Sequence, residues 1–128
     1  KTYKYKLEVK MENSKKMVKL AFEALEDKKG EDIKVIEIKD ISVIADYFVI
    51  ANGDNSQQVD ALVDSVKDKL GRNGYEPIRV EGVRSASWIL LDYGDVIIHV
   101  FSAEDRLFYN LERIWRDGKL VSKEEMGI

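Results

Sequence analysis

Three titratable residues in the middle of the chain are the ones whose types could do chemistry. His99 is the only histidine, and Asp92 and Asp95 lie on either side of Tyr93 and Gly94. Histidine can act as a base near neutral pH, and paired carboxylates can hold Mg²⁺. A lone histidine in a strand is more often structural, and aspartates at a tight turn commonly accept hydrogen bonds from backbone amides. We therefore expect no catalytic residue, no metal site and no cofactor.

A divergent metal-dependent nucleotidyltransferase is the alternative function for a sheet-and-helix domain of this size. Such enzymes usually have Gly-Ser before a helix, and two acids one residue apart on a strand that hold the metal ions. This sequence contains no Gly-Ser dipeptide and no two acids separated by a single residue. Asp92 and Asp95 straddle a turn instead, so the usual metal-binding geometry is not supplied.

Composition limits the other classes of function. The 128-residue chain has no cysteine, which excludes disulfides, thiolate zinc sites and cysteine nucleophiles. Its apolar runs are strand-sized, so we expect no membrane span and a cytoplasmic location. The loop at residues 52–56 lacks a glycine-rich phosphate pattern, and Asp54 would repel an anion, so we predict a capped helix start there.

The residues that could do chemistry lie in a predicted β-hairpin. Two β-rich runs flank Tyr93 and Gly94, and a glycine in the second position of a two-residue loop is typical of hairpins. The opposed pairs would be Asp92–Asp95, Leu91–Val96, Leu90–Ile97, Ile89–Ile98 and Trp88–His99. Side chains then alternate between two faces. The aliphatic face holds Ile89, Leu91, Val96, Ile98 and Val100, and the mixed face holds Trp88, Leu90, Asp92, Asp95, Ile97 and His99.

The remaining patterns predict an α/β (α+β) fold, a mixed sheet of about five strands with three helices. The predicted helices span residues 13–29, 57–73 and 102–115, and the other predicted strands span 33–38, 47–51 and 75–80. Pro77 places the last of these strands at an edge. The link at 39–46 should pack against the domain, because it contains Ile41, Val43 and Ile44.

We expect one domain at residues 11–118. Residues 1–10 alternate like an amphipathic strand, and they could also be an extension added for expression. Residues 119–128 are expected to form a polar, loose tail.

The acidic excess is concentrated around the hairpin. The net charge is −3, and residues 75–110 carry all of it, with six acids against three bases. Such a region should repel nucleic-acid phosphates and attract a basic protein. Direct contact with nucleic acid is therefore expected to be minor.

The mixed face has three possible roles. It could be a second core layer under another element, a surface that pairs two copies of the chain, or a docking surface for a different protein. Trp88 beside Asp92 and Asp95 favours docking, because aromatic anchors ringed by charge are typical of protein-binding patches. Arg106 and Tyr109, at the start of the last predicted helix, would extend this surface.

Several segments together resemble the ribosomal silencing factor (RsfS, Iojap-like) family. They are DYFVI (46–50), SQQV (56–59), EG (81–82), WILLDYGDVIIHVF (88–101) and RLFYNLERIW (106–115). The resemblance covers about residues 14–117 in the family's order and spacing.

The resemblance implies a nucleotidyltransferase-like fold that lacks the catalytic acids. It also implies that the protein is a translation repressor. It further implies docking on a basic protein at the intersubunit face of the large ribosomal subunit, which blocks joining of the small subunit when nutrients are scarce. The family's partner surface corresponds here to Trp88, Leu90, Asp92, Tyr93, Asp95, His99, Arg106 and Tyr109. Binding energy alone would suffice, so the protein would not be an enzyme.

Overall fold

A computed structural model describes residues 2–82, 87–103 and 117–128. The elements in chain order are helix α1 (Thr2–Asp27), strands β1 (Glu31–Glu37) and β2 (Tyr47–Gly53), helix α2 (Ser56–Arg72), strands β3 (Arg79–Glu81), β4 (Trp88–Asp92), β5 (Val96–Ser102) and β6 (Lys119–Leu120), and helix α3 (Lys123–Met126). The strands form one sheet in the order β3-β4-β5-β2-β1-β6. Only β2 and β5 pair in parallel, so the described sheet is mixed, as predicted, but has six strands.

One face of the sheet is covered by α1 and α2. The aliphatic residues predicted to share a face are all buried there against the two helices. Asn55 caps α2, because its side chain accepts a hydrogen bond from the backbone N–H of Gln58 at 2.8 Å. The apolar stripe of α2 then faces the sheet and consists of Val59, Leu62, Val63, Val66 and Leu70. This packing confirms both the predicted helix and the predicted core face.

The hairpin register differs from the prediction by two residues. The backbone N–H of Tyr93 donates to the carbonyl of Val96 at 2.9 Å, so the two loop residues are Gly94 and Asp95. Trp88 therefore pairs with Phe101, and not with His99. A shift of two positions preserves the alternation of side chains, which is why the predicted faces are correct although the predicted pairs are wrong.

Both ends of the chain depart from the sequence-based expectation. Residues 2–10 are not a strand, because they continue α1 as its exposed first turns. A helix satisfies its own backbone hydrogen bonds, whereas a strand would need a neighbour.

The C-terminal residues are not loose either. Leu120 pairs with Ile36 of β1, and Ser122 forms a capping box with Glu125 at the start of α3.

Two further expectations concern connections between elements. The strand predicted at 75–80 is confirmed as an edge strand, but it begins only at Arg79. The link at 39–46 buries Ala45 but leaves Ile41, Val43 and Ile44 exposed, contrary to the expectation that they pack against the domain. The last predicted helix lies mostly in residues 104–116, outside the described residues.

Within the described parts of the chain, no helix combines the length and the apolar content needed to cross a membrane.

Gly82 permits β3 to approach β4, and this generates a stability prediction. It has a φ of +84°, and a Cβ there would overlap the carbonyl oxygen of Trp88. Gly74 has a similar φ of +87° but nothing within 4 Å of its Cβ position, so it is the matched control. We expect Gly74→Ala to lower the free energy of unfolding by about 1–2 kcal/mol from backbone strain alone. Gly82→Ala should cost about 1–3 kcal/mol more from the overlap. Urea denaturation measures both, and equal losses would contradict the contact.

Candidate docking surface

The second face of the sheet carries an aromatic cluster. Its buried residues are Ile36, Ile38, Ala45, Ile50, Ile97 and Phe101, and half-buried Phe48, Trp88 and Leu90 pack against them. The Trp88 and Phe101 rings stack with centroids 5.2 Å apart, and Phe48 meets His99 edge to face at 4.8 Å. None of these residues comes from a described helix. Ile36, Ile50 and Phe101 are completely buried, so this cluster is a small second core layer, and only Phe48, Trp88 and Leu90 keep some exposed surface.

His99 fixes the orientation of Trp88. The indole Nε1–H donates to His99 Nδ1 at 3.1 Å, so that nitrogen must be unprotonated. His99 is buried, and its Nε2 has no hydrogen-bond partner among the described residues. Burial lowers the pKa of His99 from 6.5 to about 4, because the charged ring would lose its hydration. His99 thus supports the surface from beneath as a neutral ring.

Asp92 and Asp95 shape the turn beside this surface. Asp92 accepts a hydrogen bond from the Gly94 N–H at 2.8 Å through one carboxylate oxygen and from Arg79 Nε at 3.2 Å through the other. The Asp95 side chain pairs with Lys10 at 3.4 Å. Its backbone carbonyl accepts the N–H of Asp46 and of Tyr47, which ties the turn to β2. Asp92 therefore has the turn-stabilising role that its spacing predicts.

The arrangement offers little for metal chemistry. Both Asp92 oxygens already accept from nitrogen donors, and Asp95 faces a lysine. Within residues 2–82, 87–103 and 117–128, no three acidic or histidine side chains come together in a cluster that could hold a metal ion. The second face instead combines partly exposed apolar side chains with the two acids of the adjoining turn.

The structure brings together most, but not all, of the predicted surface residues. Trp88, Leu90, Asp92 and His99 share the second face, with Asp95 in the adjoining turn. Tyr93 is not with them: it is buried on the helix-covered face, where burial raises its pKa to about 12. Its side chain belongs to that face because it pairs with Val96 and does not stand in the loop. Arg106 and Tyr109 lie outside the described residues.

Sequence reasoning missed two groups that shape the surface. Phe48 lies in β2, next to hairpin strand β5. Its contact with His99 depends on the parallel pairing of these two strands. Arg79 reaches Asp92 only because β3 pairs with β4. The alternation of side chains in DYFVI could have placed Phe48 opposite the buried Tyr47 and Val49, but the identity of the neighbouring strand is a tertiary property.

Comparisons with known proteins point to one family. A family model described as "Ribosomal silencing factor during starvation" matches residues 11–127. The ribosomal silencing factor RsfS of Bacillus subtilis (strain 168) is 42% identical over 109 residues, which are 85% of this chain and 92% of that protein. The Mus musculus protein "Mitochondrial assembly of ribosomal large subunit protein 1" is 29% identical over 94 residues, 71% of this chain and 41% of the mouse protein.

A solved structure agrees with the sequence matches. A crystal structure of a protein from Chromobacterium violaceum matches this chain with a TM-score of 0.76 and 38% sequence identity. The match covers 81% of this chain and 87% of that chain. The mixed sheet and its helices are therefore a fold that this chain shares with the Chromobacterium violaceum protein.

The buried neutral His99 predicts a pH dependence of stability. The unfolded chain takes up a proton near pH 6.5, whereas the folded chain takes it up only near pH 4. Stability from this site is complete above pH 6.5 and is lost as the pH falls towards 4, by about 3 kcal/mol.

The His99→Gln variant isolates this contribution, because glutamine does not titrate. We expect the unfolding free energy of the parent chain, relative to His99→Gln, to fall between pH 7 and pH 4 in urea titrations. A difference that stays constant over this range would mean that His99 is not buried as a neutral ring.

Proposed function

The chain belongs to the ribosomal silencing factor family, and on that premise we propose that it represses translation by binding the large ribosomal subunit. The partner is a basic protein on the intersubunit face of that subunit, and the bound factor sterically blocks joining of the small subunit. The name of the mouse relative, which refers to assembly of the large subunit, supports the choice of subunit. No bond is made or broken, so the protein acts as a regulatory factor and not as an enzyme.

The observation that carries this proposal is the half-buried Trp88 held in place by His99. A tryptophan fixed by a hydrogen bond on its polar edge loses little side-chain entropy when a partner covers it. Tryptophan is among the residues enriched at the energetic centres of protein interfaces. Phe48 and Leu90 beside it supply further apolar contact area. The surface is thus suited to a preformed protein partner.

The acids at the turn supply the charge that attracts a basic partner. Arg79 and Lys10 now pair with Asp92 and Asp95, but these two cations are at least half exposed. The Lys10–Asp95 pair is a surface ion pair that contributes only about 0.2–1 kcal/mol, so a lysine or arginine of a partner can replace Lys10 at small cost. The Asp92 side chain is only 14% exposed, so its charge acts on a partner mainly from within the turn. The acidic charge therefore affects the choice of partner and the rate of association more than the affinity.

Loss of the indole should weaken binding to the large subunit. For Trp88→Ala we expect at least about 2 kcal/mol of lost binding free energy, or roughly a 30-fold higher Kd. Pelleting of purified large subunits with the added protein measures this, and circular dichroism verifies that the variant is folded. A folded Trp88→Ala variant that binds like the parent chain would remove Trp88 from the interface.

Reversal of the charge at Asp92 should also weaken binding, and Asp64→Lys is the matched control. Asp64 is exposed on α2, which covers the opposite face of the sheet, so the same charge change is made away from the surface. We expect Asp92→Lys to reduce both co-pelleting and the inhibition of subunit joining, with Asp64→Lys close to the parent chain. Equal losses in the two variants would indicate net charge, and not this surface, as the cause.

Neutral variants of the two turn acids address the alternative enzyme function. Calorimetry with Mg²⁺ and nucleoside triphosphates should give no binding heat that is lost in the Asp92→Asn/Asp95→Asn variant. A signal abolished by those substitutions would instead support a divergent nucleotidyltransferase.

A further inference from the structure

The loop between β1 and β2, residues 39–46, exposes an unusual amount of aliphatic surface. Val43 is fully exposed, and Ile44 and Ile41 are 70% and 50% exposed. Contiguous exposed apolar side chains mark interaction surfaces in soluble proteins. The loop is therefore a candidate contact site that the resemblance to the family does not include.

The loop is also held in a defined shape. The carbonyl of Ile38 accepts from the N–H groups of Ile41 and Ser42 at 3.0 and 2.9 Å, and Ser42 Oγ accepts from the Ile44 N–H at 3.1 Å. The Ile38 N–H donates to the Asp46 carbonyl at 2.8 Å and closes the loop. An apolar tip that is already ordered needs little further ordering when it binds.

Its position is continuous with the docking surface already described. Asp46 at the end of the loop donates its N–H to the carbonyl of Asp95 in the hairpin turn. Ile38 and Ala45 at the base of the loop are buried in the same cluster that supports Trp88. The loop therefore lies at the hairpin-turn end of the second face, near Phe48, whereas Trp88 lies at the opposite end of β4, where it pairs with Phe101.

The area available also favours a shared interface. Phe48, Trp88 and Leu90 are each only partly exposed, so by themselves they supply a small part of an interface. A stable complex buries about 800 Å² on each partner. The three exposed aliphatic side chains of the loop can make up part of the difference.

The charges beside the loop favour a basic partner over a second copy of this chain. Among the described residues, neither Asp40 nor Asp46 forms an ion pair, whereas Lys39 is paired with Glu37 at 3.6 Å and Lys10 with Asp95. A two-fold dimer would bring this patch against itself, so the two uncompensated acids would face the same two acids. A basic partner would neutralise them.

We propose that Ile41, Val43 and Ile44 form a second anchor, which inserts into an apolar depression on the same basic protein that covers Trp88. This inference rests on the proposed function, since it assigns a further part of the interface to the same partner. The acids at the two ends of the loop then contact lysines or arginines at the margin of that depression.

The test is the Val43→Ser/Ile44→Ser double variant, whose substituted side chains are solvent-exposed and do not contribute to the core. We expect its Kd for isolated large ribosomal subunits to rise at least tenfold, with an unchanged urea midpoint. Ile128→Ser is the matched control, because Ile128 is a 40% exposed aliphatic residue next to α3, which packs against the distant end of α1. That variant should bind like the parent chain.

The outcomes separate this inference from the proposed function. If Trp88→Ala weakens binding but the loop variant does not, the proposal of a second anchor is wrong and the proposed function stands. If the parent chain itself does not bind large subunits, both fail. If the loop variant binds subunits normally but converts a dimer to a monomer in light scattering, the loop pairs two copies of the chain and the inference is overturned.

Discussion

The alternation of side chains across the paired strands β4 and β5 is the constraint on which the rest of the structure depends. On one side the hairpin presents Ile89, Leu91, Val96, Ile98 and Val100, so the two long helices have a continuous apolar surface to cover. The other side then receives Trp88, Leu90, Asp92 and His99 together. One period-two pattern thus creates both the helix-covered core and the second face on which the proposed docking surface lies.

The hydrogen bond between Trp88 and His99 links the two roles of that second face. A histidine in this position cannot be charged without loss of the bond, because Nδ1 must accept the indole N–H. Its burial keeps it neutral, and a neutral imidazole under an indole is a support with one defined geometry. The polar group beneath the surface therefore contributes to a precise orientation of Trp88 and not to acid–base chemistry.

The end of the sheet at the hairpin turn is organised by backbone groups. The carbonyl of Asp95 accepts two N–H groups from the start of β2, and Asp92 accepts the N–H of Gly94. These bonds place the turn and the β1–β2 loop side by side in a fixed arrangement. Under the proposed steric mechanism such rigidity is an advantage, since little binding energy is lost to ordering the protein's own surface.

Much of this architecture could be predicted from the sequence because periodicity is a local property. The stripe in α2, the buried aliphatic face and the edge position of the strand after Pro77 all follow from spacing and from residue types. The two faces were predictable even with the wrong register, since a shift by two leaves each side chain on its own side.

The features that only the tertiary structure decided depend on contacts between segments that are distant in the sequence. The rules for two-residue turns allow glycine in either loop position. In the structure Gly94 takes the first position, and the backbone N–H groups of Asp46 and Tyr47 bond to the carbonyl of Asp95 in the second. The alternating residues 2–10 form a helix, because no described strand lies beside them to accept their hydrogen bonds. Likewise, burial of His99 and exposure of Val43 depend on which segments cover them, and a linear pattern does not contain that information.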